Sequence, residues 1–492
     1  MVARARPGWP RGRYRGPEKA GGAAANHSRK TNQRPAAAYL NSYHRRVVVD
    51  APPVVARPIT GAWGPALLGV AGWAALVGVA IRWGSSLVVE RPQMRISAAP
   101  FVGTWERLIT DRDALDVAVV IGVVAVVAAP ILFRRLPWRS AVFLAASLAV
   151  VWLLALNAVD GPDALRDPLT TRYEYVAGIP DVDAAGGGRA YLATFTDRIS
   201  GYPTHVRGHP PGLVVGLWAA AEIGLDPVDV ALASVLVGWG TAIAAALVAT
   251  RDVAGEEAAR RVAPVLALAP GAVWAGTSAD PIFAGVTALA IAALVLATGR
   301  DGRRADALAA TGGVLVGASL LLSYASVPVL LVPVAVALVR RRIRPLVIAA
   351  GTGTALLLIS GLAGFWWTAG LLATREEYRA GLSQVRPYSY FVIGNLAAVA
   401  VATGPALAGG IANLTDRLVS GALAVGALVG VAAADLSGFS KGETERIWLV
   451  FVPWLATAAA FLPGRRDQVH RGWIAAQVAL GLGVQVSLRT PW

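Results

Sequence analysis

A chain of 492 residues with 55% hydrophobic and only 15% charged side chains departs from soluble enzymes, which carry roughly 25% charge, and from disordered proteins, which lack apolar runs. With no cysteine, disulfides, thiolate nucleophiles and cysteine-based zinc sites are excluded. The net charge of +15 is almost all arginine, because the only lysines are Lys19, Lys30 and Lys441; outside the first sixty residues those arginines flank apolar runs, which fits membrane orientation and not nucleic-acid binding.

Residues 1–60 form a basic tail (Arg4, Arg6, Arg11, Arg13, Arg15, Arg29, Lys30, Arg34, Arg45, Arg46) mixed with Gly, Pro and Ala, expected to be disordered and cytoplasmic. Its charges could touch anionic headgroups, but the plainer reading is a solvated tail that sets orientation. Arg45 and Arg46 are too far from the first apolar run, and lack the cleavage pattern, for a twin-arginine signal.

Beyond the tail, apolar runs predict an all-α polytopic membrane protein of about thirteen transmembrane helices, each needing about 20 residues. They fall near 64–84, 114–134, 139–159, 227–250, 262–277, 280–299, 306–323, 325–339, 346–367, 390–412, 418–436, 447–462 and 473–492. The segment 212–224, shorter than a span and preceded by Pro210 and Pro211, reads as a juxtamembrane or re-entrant helix. Five arginine groups test this parity: 134–139, 251–261, 300–304, 340–344 and 465–471. If the short helix does not cross, all five face the cytoplasm beside the N-terminus, and Trp492 lies outside. The chain then divides into the tail 1–60, two extra helices within 61–138, a core 139–462 with a long outer loop 160–211, and a closing loop and helix 463–492.

The outer segments hold the polar chemistry. The loop 160–211 opens with Asp160-Gly161-Pro162-Asp163, carries Glu174, and closes in His205, Arg207 and His209 ahead of Pro210 and Pro211. A loop this long is rarely mere connection. Asp160 at the membrane boundary suits a general base toward an acceptor hydroxyl; equally, Asp-Gly-Pro is a turn that ends a helix. Arg207 and His209 suit an anionic headgroup, and a metal held by His205 and His209 is the rival. Asp280, between two apolar runs, is a functional candidate by default or, with Ser278, a helix cap before Pro281. Tyr388, in the polar aromatic loop 368–389, could stack on a sugar or belong to an interfacial belt. Lys441 and Arg446 could neutralise a phosphate leaving group, or pair with Glu443 and Glu445 in a purely structural cluster. P-loop, GxSxG, HExxH and dinucleotide fingerprints are missing.

The order of these segments resembles the GT-C-fold membrane glycosyltransferases. An acid follows an early span (Asp160); a long outer loop closes in Gly208-His209-Pro210-Pro211-Gly212; then comes Pro270 to Pro281 with its Ser-Ala-Asp-Pro. The late Glu445-Arg446-Ile447-Trp448 with Val452-Pro453-Trp454 is similar to an element of the protein mannosyltransferase and aminoarabinose transferase branch. The resemblance covers roughly 139–462 and departs in two ways: two adjacent acids are replaced by Asp160 and Asp163 spaced by Gly-Pro, and two spans precede the core. It implies an integral plasma-membrane glycosyltransferase, inverting, that moves a hexose or pentose from a polyprenyl-monophosphate sugar to an envelope glycan, glycolipid or protein acceptor. By that resemblance Asp160 is the catalytic carboxylate with Asp163 as its substitute, and Asp280 a second acid. Arg207, His209, Lys441 and Arg446 would face the lipid phosphate, and Glu174, His205 and Tyr388 would belong to the substrate loops. No organic cofactor is required; a divalent cation between Asp160, Asp280 and the phosphate is compatible with the sequence but not demanded. The competing classes are a multi-pass transporter or lipid flippase, suggested by helices interrupted at Gly and Pro, and a non-catalytic membrane scaffold.

Overall fold

The computed structural model describes residues 61–490, apart from Arg107, Leu108, Asp416 and Arg466; the basic tail 1–60 and Trp492, with the expectations placed on them, lie outside the described residues. The chain from Pro58 onward is one compact unit. Among the described residues it is almost wholly helical, its one sheet being the antiparallel pairing of Thr104–Trp105 with Leu488–Arg489.

Seven helices are long and apolar enough to cross a membrane: Trp63–Glu90, Arg112–Arg135, Trp138–Asp160, Pro227–Ala254, Asp280–Thr298, Gly302–Leu322 and Arg344–Leu362. They carry large apolar side chains on their outer faces, among them Leu68, Phe143, Val237 and Leu362, as a bundle surrounded by acyl chains requires. The protein is therefore an all-α chain of multi-pass membrane type. The other six expected spans are shorter or broken, so thirteen full-length helices become seven, or eight if the bent pair Tyr388–Thr403 and Pro405–Ile411 counts as one span. Ala422–Leu436 and Arg471–Gln485 have 15 residues each, and at about 1.5 Å per residue they fall short of the roughly 30 Å hydrocarbon layer. The run 447–462 breaks into short α and 3-10 turns around Pro453. Gly212–Glu222, of 11 residues, is likewise too short to span.

Two of the breaks meet. The chain interrupted after Glu256–Ala267 touches the kink at Gly404 where the Gly271 N–H donates to the Ala402 carbonyl at 2.7 Å. Gln477, from the helix Arg471–Gln485, fills the kink: its Nε2 donates to the Thr403 carbonyl at 2.8 Å, and Gly404, at φ +90°, leaves no room there for a Cβ. Asn157 closes the other side by donating to the Ala272 carbonyl at 3.2 Å. Backbone groups freed by broken helices at membrane depth must find partners inside the protein, and here side-chain amides supply them.

Close helix packing rests on small residues. Gly238 and Gly285 let the helices Pro227–Ala254 and Asp280–Thr298 meet so closely that a Cβ on Gly285 would lie 2.7 Å from the Gly238 Cα. A Cβ on Gly238 would come within 2.3 Å of the Pro281 carbonyl, so this contact also fixes the depth of Asp280. The first of the two helices expected ahead of the core, Trp63–Glu90, is packed into it: Trp73 Nε1 donates to the Ala400 carbonyl at 3.0 Å, and Tyr390 Oη donates to the Ala80 carbonyl at 3.1 Å.

The five arginine-bearing segments interlock at one end of the bundle. Arg134 pairs with Asp467 at 3.0 Å. Arg260 donates to the carbonyls of Phe133 and Leu136, and Arg251 and Arg260 both lie over the Trp138 ring. Buried Arg261 donates to carbonyls of Ala460, Leu462 and Gln468. Asp252 receives Arg300 at 3.1 Å and Arg340 at 2.8 Å, while Arg342 pairs with Asp301 and Arg344 with Asp306.

Candidate functional site

The other end gathers the polar segments 160–211, 278–281, 368–389 and 437–446 around one buried guanidinium. Arg446 stands in the short helix Thr444–Ile447 and is 2% exposed. Its Nη1 meets Asp280 Oδ2 at 3.0 Å, and its Nη2 meets Glu443 Oε2 at 3.2 Å and His205 Nε2 at 3.1 Å. A guanidinium only donates, so His205 Nε2 must accept, which places the imidazole proton on Nδ1. That proton is donated to Glu174 Oε1 at 2.6 Å. Glu174, His205, Asp280 and Arg446, four of the residues singled out in the sequence, thus form one buried chain of charge-assisted hydrogen bonds.

Local structure explains the delivery. Asp280 is the first residue of its helix, with Pro281 behind it; the cap position is Ala279 and no side chain caps the helix, so the capping role expected for Ser278 and Asp280 is not realised. Its carboxylate instead sits at the positive end of the helix dipole and against Arg446. Glu443 adopts φ +63°, a left-handed conformation costly to any residue with a Cβ, directly after Gly442 at φ +92°. That turn brings the Glu443 carboxylate back to Arg446. Arg386, one charge of the polar aromatic loop 368–389 in the sequence, its role there missed, supports the turn: its Nε donates to the Met94 carbonyl at 3.0 Å and its Nη1 to the Lys441 carbonyl at 2.7 Å, and Glu443 lies 3.7 Å away. Asn395, also missed, donates to Asp435 Oδ1 and the Ser440 carbonyl while its Oδ1 accepts from the Gly442 N–H. The only advance signal for Asn395 was an amide inside an apolar run.

Burial alone would neutralise Glu174 and Glu443, but their partners prevail. Burial works against ionised Glu174, yet His205 and Arg446 hold its carboxyl below the usual range. Glu443 is likewise held down by Arg446 and Arg386. Arg446 is disfavoured by burial, but Asp280, Glu443 and Glu174 raise it above an ordinary arginine. Glu445 faces away from this network: it is fully buried, its Oε1 accepts from the Val102 N–H at 3.1 Å, and burial pushes its carboxyl up to about 7.

His209 stands one layer off. Its Nδ1 donates to the His205 carbonyl at 3.0 Å, and its ring lies between Tyr175 and Phe283. Burial pushes it down to about 3, so at neutral pH it carries no charge to offer an anion. Both ring nitrogens of His205 are committed to protein partners, which excludes the metal pair with His209. Among the described residues, no group of three or more His, Asp or Glu side chains is arranged to hold a metal ion.

The remaining sequence candidates stand apart from this chain of bonds. Asp160 is exposed at the end of a 3-10 turn closed by Gly161 at φ +115°, so the helix-ending turn is real; its Oδ2 accepts from Gln485 Nε2 at 2.8 Å. Asp163 is exposed in the following turn. Arg207 pairs with Glu377 at 3.4 Å. Tyr388 and Lys441 line an open cavity of about 410 Å³, where the Lys441 ammonium donates to the Ser383 carbonyl at 2.9 Å. Comparison with protein-family models, curated proteins and solved structures finds no match to this chain.

Proposed function

We propose that this chain is an integral membrane glycosyltransferase that moves a sugar from a polyprenyl-monophosphate carrier to an envelope acceptor on the extracytoplasmic face, as its motif order implies. The observation that carries the reading is the convergence of all four polar segments at one end of the bundle, opposite the arginine-rich end. Within it the roles divide by exposure. Asp160 is accessible and oriented through one oxygen by Gln485, which suits a base that takes the proton of an acceptor hydroxyl as that oxygen attacks the anomeric carbon. Asp280 and Arg446 neutralise one another and act as the frame that holds the outer loops. The leaving phosphate then needs the accessible cations, Arg207 and Lys441, since a buried Arg446 would first have to release two carboxylates.

The interrupted helices suit a transporter as a second reading, since carriers build binding sites at such breaks. Against it, both breaks are filled by Gln477 and Asn157. The test is turnover of polyprenyl-phosphate mannose, arabinose and glucose by reconstituted protein with an extract of envelope acceptors. Wild type should consume at least one donor, and Asp160→Ala, at equal folded protein, should lose about 10²- to 10⁴-fold of that rate. Undiminished transfer by the variant would remove Asp160 from the mechanism; no consumption with any donor, alongside substrate accumulation in vesicles, would favour transport.

A further inference from the structure

The cavity of about 410 Å³ opens between the helix Trp367–Ala380 and the loop 437–441, and its wall is unlike the rest of the molecule. Arg375, Arg379 and Lys441 line it, together with Tyr378, Tyr388 and Phe439, and no carboxylate does. Three other cations at this end do face acids: Arg207 with Glu377, Arg386 with Glu443, Arg446 with Asp280. Among the described residues, Arg375, Arg379 and Lys441 have no ion pair; of the two acids in the helix that carries the arginines, Glu377 pairs with Arg207, and Glu376 forms no ion pair with either arginine and does not line the cavity. Three like charges converging on one concave surface repel one another unless an anion enters.

Two buried atoms point the same way. Arg375 Nε and Tyr378 Oη, beside the cavity, have no hydrogen-bond partner among the described residues, a costly state for polar groups inside a protein. The Arg375 guanidinium is held 5.9 Å over the Phe439 ring, and Tyr378 lies 6.5 Å from the same ring. Lys441 uses one of its three protons on Ser383, which leaves donors for a ligand. The cavity is also too large for a bare ion and falls within the roughly 300–1,000 Å³ range of small-molecule sites.

We infer that this cavity is a binding site for a phosphate ester: the phosphoryl oxygens lie against Arg375, Arg379 and Lys441, and the esterified group, of about the size of a sugar, against Tyr378, Tyr388 and Phe439. A planar fork and a point charge together match the several oxygens of a phosphoryl group, and aromatic faces suit the ring or chain attached to it. The site communicates with the buried core, because the Lys441 carbonyl, Arg386, Glu443 and Arg446 form a continuous line of contacts. The assignment shares Lys441 with the glycosyltransferase proposal, which sets that ammonium against the leaving phosphate, but it is argued from the cavity and its other cations, and its test measures binding without turnover, so either can fail without the other.

The experiment uses the full chain in phosphatidylcholine nanodiscs, titrated calorimetrically with glucose 1-phosphate and with inorganic phosphate, and in parallel the full chain in nanodiscs containing phosphatidylglycerol, read by thermal unfolding. Saturable binding of glucose 1-phosphate that weakens at least tenfold in Arg379→Gln and Lys441→Gln, but not in Arg189→Gln, supports a soluble or sugar-borne ester. Stabilisation by phosphatidylglycerol alone, lost in the same two variants, supports the same phosphoryl site filled by a lipid headgroup. Arg379 is exposed, so its variant should fold as wild type does. No saturable binding and no stabilisation with any of the three probes, or effects equal in Arg189→Gln and Arg379→Gln, would overturn the assignment.

Discussion

Arg446 and Glu445 are adjacent in sequence, and both are buried, yet their surroundings give them opposite states. Arg446 is ringed by acids and stays charged; removing one partner of such a buried pair typically costs about 3–5 kcal/mol, so the pair fixes where the outer loops sit even if it contributes little net stability. Glu445 has a backbone N–H and no cation in contact, and burial lifts its carboxyl to about 7. The sign of its effect follows directly. A carboxyl whose value is higher in the folded than in the unfolded chain favours folding when protonated, so its contribution is complete below about pH 4 and is lost as pH rises through 7. At about 1.4 kcal/mol per unit the loss is of order 3 kcal/mol by pH 8. Glu445→Gln keeps an oxygen for the Val102 N–H and cannot ionise. Its melting temperature in detergent should match wild type near pH 5 and exceed it by several degrees at pH 8; a constant difference between the two proteins across that range would remove Glu445 as the titrating group. Glu174 and Glu443, held below the usual range, act in the other sense, losing stabilisation as pH falls below about 4.5, and so do not imitate this profile.

Helices carry the site by how closely they pack. Because a Cβ on Gly285 would lie 2.7 Å from the Gly238 Cα, Gly285→Val should push the helix Asp280–Thr298 off its neighbour. Overpacking of this kind costs roughly 1–3 kcal/mol, and at this contact it should also loosen Asp280 from Arg446. Thermal unfolding checks the first effect, and protease sensitivity of the loop 437–446 checks the second; Gly216→Val, where a Cβ meets open space, should show neither. The same elements show what was legible in advance. The seven long helices follow from hydropathy, because each is an unbroken apolar run. The six others were over-read, since hydropathy sums side chains and is blind to a kink at Gly404-Pro405 or to turns around Pro453. Glu174, His205, Asp280 and Arg446 stood out one at a time as polar residues beside apolar runs. That they bond to one another joins positions up to 272 apart, which no local periodicity encodes. The pairing of Glu443 with Arg446 was one of two alternatives the sequence offered, whereas Asn395, Gln477 and Gln485 were passed over because a single amide in a helix has no motif around it, and Arg386 was visible only as one charge of a polar loop.

At the scale of the molecule, the arrangement is a bundle with two chemically distinct ends. One end is laced by arginines whose partners are loop carbonyls and the acids Asp252, Asp301, Asp306 and Asp467; the other holds the buried acids, the histidines and the phosphate-ester cavity. Arginine-rich short loops remain on the cytoplasmic side during insertion, so the cavity end should face outward. The absence of cysteine makes this directly measurable, because any introduced cysteine is the sole thiol. Arg303→Cys and Gln384→Cys place exposed thiols at the arginine end and beside the cavity, respectively. In intact cells a membrane-impermeant maleimide should label Gln384→Cys, and it should reach Arg303→Cys only after permeabilisation. Labelling of both in intact cells would break the two-ended arrangement itself. The reverse pattern would keep the fold but turn the site toward the cytoplasm, where soluble nucleotide sugars serve as donors and a lipid-borne sugar loses its purpose. The proposed chemistry therefore depends on sidedness before it depends on any catalytic residue.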